Sequence, residues 1–239
     1  MEIEGKRILV TGASRGLGRA LVTALVDAGA SQVIAGTRKQ EDRDALQSEH
    51  VIPVQLDVTS DADVEAVARM GAFDILINNA GVAGFGNPLT MNFEALQQEI
   101  EVNYLGVVRV TRAVAPAMIS KDDGMIVNVA TAFAKINLPI VGTYCATKAA
   151  LLSLGQALRA YLSKHNVRVI TVMPTTIDTD MSRGFDVPKM TKEFVASEIL
   201  TAIREERHDP AIGDEANSIC EQLAKDPYAV EKRLQGYTI

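Results

Sequence analysis

The 239-residue chain has only two cysteines, Cys145 and Cys220, too few for a disulfide framework or a four-thiolate zinc site. Its three histidines, His50, His165 and His208, are scattered without metal-ligand spacing, so no metal site is expected. Long apolar runs are also missing: residues 104–119 are interrupted by Arg109, Arg112 and Pro116 and cannot cross a bilayer. The N-terminal residues enter a strand-like run without the positive region and long apolar stretch of a secretory signal. Basic side chains are not in excess either. The 24 Lys and Arg against 30 Asp and Glu give a net charge of −6, which provides no global attraction for nucleic acid or anionic lipid. Any anion site must be local. A reducing, cytoplasmic setting without nucleic-acid or membrane partners is the expectation.

What is present, 47% hydrophobic and 23% charged residues, suits an ordinary globular protein. Short β-branched runs at residues 7–11, 32–36, 51–55, 73–77, 125–129 and 167–172 are apolar on both sides, the pattern of buried parallel strands. Between them, residues 17–28, 61–70, 96–119, 145–163 and 191–206 carry apolar side chains at helical spacing. Such alternation implies right-handed crossovers and an α/β, doubly wound parallel sheet of about seven strands with helices on both faces. No linker, repeat or composition break divides the chain, so one dinucleotide-binding-type domain over residues 1–239 is expected, with a loop around residues 174–190 free for a substrate.

The segment TGASRGLG, Thr11 to Gly18, lies between the first strand and the first helix. There Gly12 permits a sharp turn, Gly16 leaves room for phosphate oxygens and Gly18 allows close helix packing. Ser14, Arg15 and Leu17 complete the loop, and the helix start behind it favours an anion. An NAD site usually presents an acid at the end of the second strand, about twenty residues on. Here the strand ends Gly36-Thr37-Arg38. Arg38, with Arg15 and the hydroxyls of Ser14 and Thr37, matches a 2′-phosphate through charge-assisted hydrogen bonds, so NADP(H) is expected over NAD(H). Solvated surface arginines are the competing explanation.

Tyr144 and Lys148 in YCATK stand one helical turn apart on one face. Alone, the pair is better explained as two solvated side chains on a helix surface. Its company changes the weighing: Asn78-Asn79-Ala80-Gly81 follows the fourth strand, Asn103 sits in VNYLG, and Thr131 ends IVNVAT. With TGASRGLG, Asp57-Val58 and the Pro174 loop in the same order, the chain resembles the short-chain dehydrogenase/reductase family in its compact branch, from Arg7 to about Ile203. The resemblance implies a catalytic tetrad of Asn103, Thr131, Tyr144 and Lys148, with Asn103 holding a water that relays protons to Lys148. It further implies that Asp57 holds the adenine, that Asn79 and Ala80 line the cofactor, and that Ile177 and Thr179 touch the nicotinamide amide. A homodimer or homotetramer built on a four-helix contact is also implied. Apolar residues around more than one helix face, including Val107, Val110, Val114, Leu151, Leu154 and Leu158, point toward a covered surface.

The chemistry stands on its own terms. Hydride reduction of a carbonyl leaves negative charge on oxygen, so a proton donor must sit beside it, and a phenol tuned by a neighbouring ammonium suits that need. Two departures from the family pattern stand out: Thr131 occupies a position usually held by serine, and Thr175 one where glycine commonly follows Pro174. The expected substrate wall, Phe133, Asn137, Leu138, Pro139, Ile140, Val141 and residues 181–187, is mostly apolar and suits a ketone, aldehyde or 3-oxoacyl compound. Arg183 is a candidate partner for an anionic tail. An NADP(H)-dependent carbonyl/alcohol oxidoreductase is the leading expectation. A nicotinamide-using epimerase or dehydratase and a non-catalytic nucleotide-binding regulator are the alternatives.

Overall fold

Strands covered on both faces must offer apolar side chains in both directions. In the computed structural model, which describes residues 1–236, β1 (Arg7–Val10) does so by alternation. Ile8 and Val10 pack with Leu21 and Leu25 of α1 (Gly16–Asp27) and with Ile199 and Ile203 of α7 (Lys192–Glu205). Leu9 points the other way, to Val64 of α3 (Asp61–Ala68) and to Val110 and Val114 of α5 (Gly106–Lys121). The remaining strands are β2 (Gln32–Thr37), β3 (Val51–Gln55), β4 (Ile75–Asn78), β5 (Gly124–Val129), β6 (Val167–Pro174) and β7 (Ala211–Ile212). They form one seven-stranded parallel sheet in the order β3-β2-β1-β4-β5-β6-β7. The order reverses between β1 and β4, and a crevice opens there at the carboxyl ends of the strands.

The doubly wound sheet is the expected architecture, and six of its strands fall where the apolar runs lie. The differences are local. Residues 96–119 do not form one helix: α4 (Phe93–Ile100) passes into a π-helical turn at Glu101–Leu105 before α5 begins. That wider turn carries Asn103. Close packing follows it, since a Cβ on Gly106 would lie 2.7 Å from Val58 Cγ2. Three further helices, α2 (Gln40–Asp44), α8 (Asp214–Lys225) and α9 (Pro227–Leu234), lie outside the expected set. They bury few apolar side chains, so their periodicity is faint.

The apolar faces read as a covered surface are largely this chain's own interior. Val107, Val110, Val114 and Leu151, the last on α6 (Gly142–Leu162), are buried by their own sheet and helices, and Leu154 and Leu158 are half-buried. The exposed apolar residues near them are instead Ile100, Leu105 and Tyr161.

Two side chains tie the switch point together. Thr11 Oγ1 accepts the backbone N–H groups of Asn79 and Ala80, each at 3.0 Å, and Asn79 Nδ2 donates to the carbonyls of Thr11 and Gly12, also at 3.0 Å. α1 lies so close behind that a Cβ on Gly18 would fall 2.1 Å from Gly12 O and 2.7 Å from Asn79 Nδ2. Both neighbours are held by these bonds and have no room to move. Gly18→Ala is therefore expected to destabilise the chain by about 2 kcal/mol, read as a fall of about 4–8 °C in Tm in thermal unfolding. An unchanged Tm would mean that the loop and helix separate more readily than this packing implies.

Candidate active site

The crevice at the switch point is a cavity of about 550 Å³. Its dinucleotide half is built from the ends of β1, β2 and β4. Gly12 (φ +65°) and Gly16 (φ +55°) adopt left-handed conformations that side chains resist, and a Cβ on Gly12 would also meet Ala80 Cα at 2.8 Å. Arg15 caps α1 without a side-chain hydrogen bond, and the first turn carries no acid, so its N–H groups face the cavity mouth as anion donors. Ser14, Arg15, Leu17, Thr37, Arg38, Asp57, Val58, Asn79, Ala80 and Gly81 line the same space as Gly12, Gly16 and Gly18. Arg38 is exposed immediately after β2, whereas Arg15 pairs with Asp180 at 3.2 Å. Asp57 Oδ1 accepts from the backbone and hydroxyl of Thr59, at 2.9 and 2.7 Å, which holds its carboxylate in place.

The other half comes from β5, α6 and the segment after β6. Tyr144 and Lys148 share one face of α6 and both line the cavity, with Lys148 Nζ 5.6 Å from the tyrosine ring centroid. Lys148 is buried and donates to Val129 O at 2.9 Å, and burial lowers its pKa to about 8. Burial pushes the Tyr144 phenol well above its ordinary range, and Cys145 and Glu99 add to that rise. The protein's own atoms thus keep the phenol protonated. Cys145 beneath is raised to about 11, mainly by burial, and offers no thiolate at neutral pH.

Thr131 also faces the cavity, but its hydroxyl donates to Pro174 O at 2.9 Å and accepts Phe133 N–H at 3.4 Å. Asn103 is the predicted tetrad residue that stands back from the cavity wall. Its Nδ2 donates to Val82 O and to Thr147 Oγ1, at 2.8 and 3.0 Å, and its Oδ1 accepts Val82 N–H at 2.9 Å. Gly81 separates it from the lysine: a Cβ there would meet Asn103 Oδ1 at 3.4 Å and Lys148 Nζ at 3.5 Å.

Pro174, Ile177 and Thr179 line the cavity. Thr175 is not among the non-glycine residues with left-handed backbone, so it replaces glycine there without strain. The segment beyond is self-braced: Met190 N donates to Thr176 O at 3.0 Å, Asp178 N to Met190 O at 2.8 Å, and Ser182 Oγ to Ile177 O at 2.6 Å. Of the expected substrate wall, Phe133, Leu138, Ile140, Val141, Met181, Ser182, Phe185 and Val187 line the cavity, while Asn137 turns away to bond Gly142 O at 2.9 Å. Arg183 does not face it either; it is exposed and pairs with Asp180, which removes the expected hold on an anionic tail. The wall also includes Val82, Ala83, Phe85, Glu215 and Leu234, which the motifs do not mark. For Leu234 the available signal was capping: Asp226 accepts Ala229 N–H at 3.0 Å ahead of Pro227 and starts α9.

A glycine cradle at a sheet's switch point, with a half-buried tyrosine and a buried lysine across the cavity, defines a dinucleotide-binding doubly wound protein. Residues 6–188 match the short chain dehydrogenase family, and the chain belongs to it. It is 39% identical over 187 residues to a D-erythrulose reductase of Gallus gallus, covering 77% of this chain and 76% of that one. An L-xylulose reductase of Mus musculus is 40% identical over 185 residues, covering 76% and 75%. Among solved structures, a short chain dehydrogenase from Burkholderia cenocepacia in complex with NADP superposes with a TM-score of 0.94 at 38% identity, over 98% of this chain and 99% of that one.

Proposed function

We propose that the protein is an NADP(H)-dependent oxidoreductase that interconverts a carbonyl compound and its alcohol, with Tyr144 as the acid/base. The observation that carries this reading is the half-buried Tyr144 beside the buried Lys148, facing a cavity whose other half is a glycine cradle at an uncapped helix start. The residues present fit a dinucleotide: Gly12 and Gly16 line the cavity with left-handed backbone and no side chain, and no acid competes in the first turn of α1. In this reading Asp57, Asn79, Ala80, Ile177 and Thr179 hold the cofactor, and Arg38 with Arg15, Ser14 and Thr37 receives the 2′-phosphate. The Burkholderia relative's complex with NADP supports that assignment. Arg15 must then leave Asp180, an exchange that costs little because both groups are exposed.

Hydride supply or acceptance is the chemistry that a nicotinamide held there would contribute. Tyr144 donates its phenolic proton to the oxygen that gains charge, a task suited to a phenol kept protonated by burial. Lys148, mostly charged at neutral pH with its pKa near 8, stabilises the phenolate that results. Thr131 turns its hydroxyl from Pro174 O to the substrate oxygen. Asn103 acts from behind, fixing Val82 and Thr147 around Lys148. The reductases of erythrulose and xylulose among the relatives support carbonyl reduction as the reaction class. A homodimer or homotetramer belongs to the same reading.

The test is consumption of NADPH across a panel of ketones, aldehydes and 3-oxoacyl compounds. Turnover of at least one class well above the rate without substrate is expected. Tight cofactor binding with no turnover on any of them would replace this reading with that of a nucleotide-binding regulator.

A further inference from the structure

Glu99 is the one buried residue of α4, 1% exposed, and neither a motif nor the mechanism above uses it. Its Oε1 accepts the backbone N–H of Gly84 at 2.5 Å, and its Oε2 is buried with no hydrogen-bond partner among the described residues. A carboxylate held in that way is expensive to bury, so the single bond it makes must be consequential. Gly84 belongs to the stretch after β4, in which alternate residues are tied down. Asn103 holds both backbone groups of Val82, Glu99 holds Gly84, and Gly86 N donates to Ile140 O at 3.0 Å. Anchored in this way, the stretch places Val82, Ala83 and Phe85 in the cavity wall. The Phe85 ring meets Phe185 of the segment after β6, with centroids 4.8 Å apart and planes tilted by 52°. That is a favourable aromatic pairing between the two loops that flank the reactive groups.

We propose that Glu99 is a positioning residue for the substrate: through Gly84 it sets Phe85 against Phe185 over the cavity, and this aromatic pair selects carbonyl compounds bearing an apolar ring or branched chain over polyhydroxylated ketones. The proposal rests on the carbonyl-reductase reading and narrows it. Space at Gly84 supports it, because a Cβ there would lie 3.1 Å from Met91 Cε and 3.2 Å from Glu99 Oε1, so the backbone sits directly on the carboxylate. Met91 in turn is held by the Thr143 hydroxyl at 3.3 Å, beside Tyr144. The apolar side chains nearby, Phe133, Leu138, Ile140, Val141 and Val187, offer a ketose's hydroxyls no hydrogen-bond partner, and leave Thr131, Ser182 and Glu215 as polar side chains of this part of the wall.

The experiment compares kcat and KM for acetophenone, erythrulose and NADPH in the wild type, Glu99→Leu, Glu99→Gln and Phe85→Ala. The wild type is expected to have the higher kcat/KM for acetophenone. Glu99→Leu should raise the acetophenone KM about tenfold, the scale of one lost hydrogen bond to a charged group. The NADPH KM and kcat should change less than threefold. Glu99→Gln should restore the KM, since its amide oxygen accepts the same N–H, and Phe85→Ala should reproduce the rise without touching α4. If Glu99→Leu does not fold, the glutamine and Phe85 variants still decide the matter. An unchanged acetophenone KM in Phe85→Ala, a parallel rise in the NADPH KM, or failure of glutamine to rescue would overturn the proposal. Preference of the wild type for erythrulose would overturn the selectivity alone, whereas absence of turnover with every carbonyl compound would overturn the underlying reading of the site.

Discussion

Tyr144→Phe is expected to lower kcat by about 10²–10⁴-fold, the usual worth of one positioned proton donor, while the Kd for NADPH stays within about threefold. The substitution removes one oxygen and leaves the ring where it is, over Lys148 Nζ at 5.6 Å from its centroid. Packing is preserved, so the loss reports on the proton and not on the fold. The direction follows from the protonation states. Burial holds the phenol above its ordinary value and brings Lys148 down to about 8, so at neutral pH the site contains a neutral acid beside a charged amine. When the substrate oxygen takes the proton, the pair changes from neutral phenol and ammonium to phenolate and ammonium, an attraction gained as the transition state forms. A phenylalanine variant has no proton to give and gains no such attraction. Rapid titration of NADPH fluorescence gives the Kd, and stopped-flow decay of NADPH gives the chemical step. Activity within tenfold of wild type would mean that another group protonates the product, and Tyr144 would lose its role.

How much of this was legible beforehand varied with the kind of signal. Strands such as Ile8-Leu9-Val10 announce themselves because both faces are buried, and TGASRGLG because its glycines must satisfy backbone geometry that no other residue satisfies cheaply. Tyr144 and Lys148 were visible as a one-turn spacing, and the cavity brings them together as that spacing requires. Periodicity could not say what an apolar face touches. Val110 and Val114 read as surplus surface, yet they pack inward, because a helix lying between a sheet and a neighbouring helix buries more than one stripe. Asn103 was legible as a residue but not as a geometry, since the π-helical turn that aims it at Val82 leaves no mark in an otherwise helical pattern. Glu99 was hidden for the opposite reason: a glutamate on a helix with mostly exposed neighbours reads as solvated, and only the third dimension places Gly84 against it. The C-terminal wall, Glu215 and Leu234, was missed because α8 and α9 bury only Ala216, Ile219, Val230 and Leu234.

Arg38→Asp carries the second large effect: the ratio of kcat/KM for NADPH to that for NADH is expected to fall by about 10²–10³. The guanidinium stands exposed at the end of β2, where an NAD site would place an acid, and it lines the cavity next to Thr37. Hydrogen bonds to a charged phosphate are worth about 1.5–3 kcal/mol, roughly 10–100-fold in kcat/KM for NADPH, and the new carboxylate adds repulsion of a 2′-phosphate. NADH has no group there to repel, and its ribose hydroxyls gain an acceptor, so its kcat/KM should hold or rise. Both arms are read from initial rates with one substrate at saturation. Salt distinguishes this account from a folding defect. The contact is exposed, so its strength is screened over a Debye length of about 8–10 Å at ordinary ionic strength. The NADPH KM of the wild type should climb between low and high salt, while that of Arg38→Asp, which has no attraction left to screen, should stay flat or fall as the repulsion is screened. Arg15 bounds the size of the effect. Freed from Asp180, it can still reach a phosphate and leaves the variant a residual preference, so a double change at Arg15 and Arg38 should deepen the switch. A ratio unchanged within threefold in Arg38→Asp would return both arginines to the solvated surface and with them the claim of NADP(H) preference.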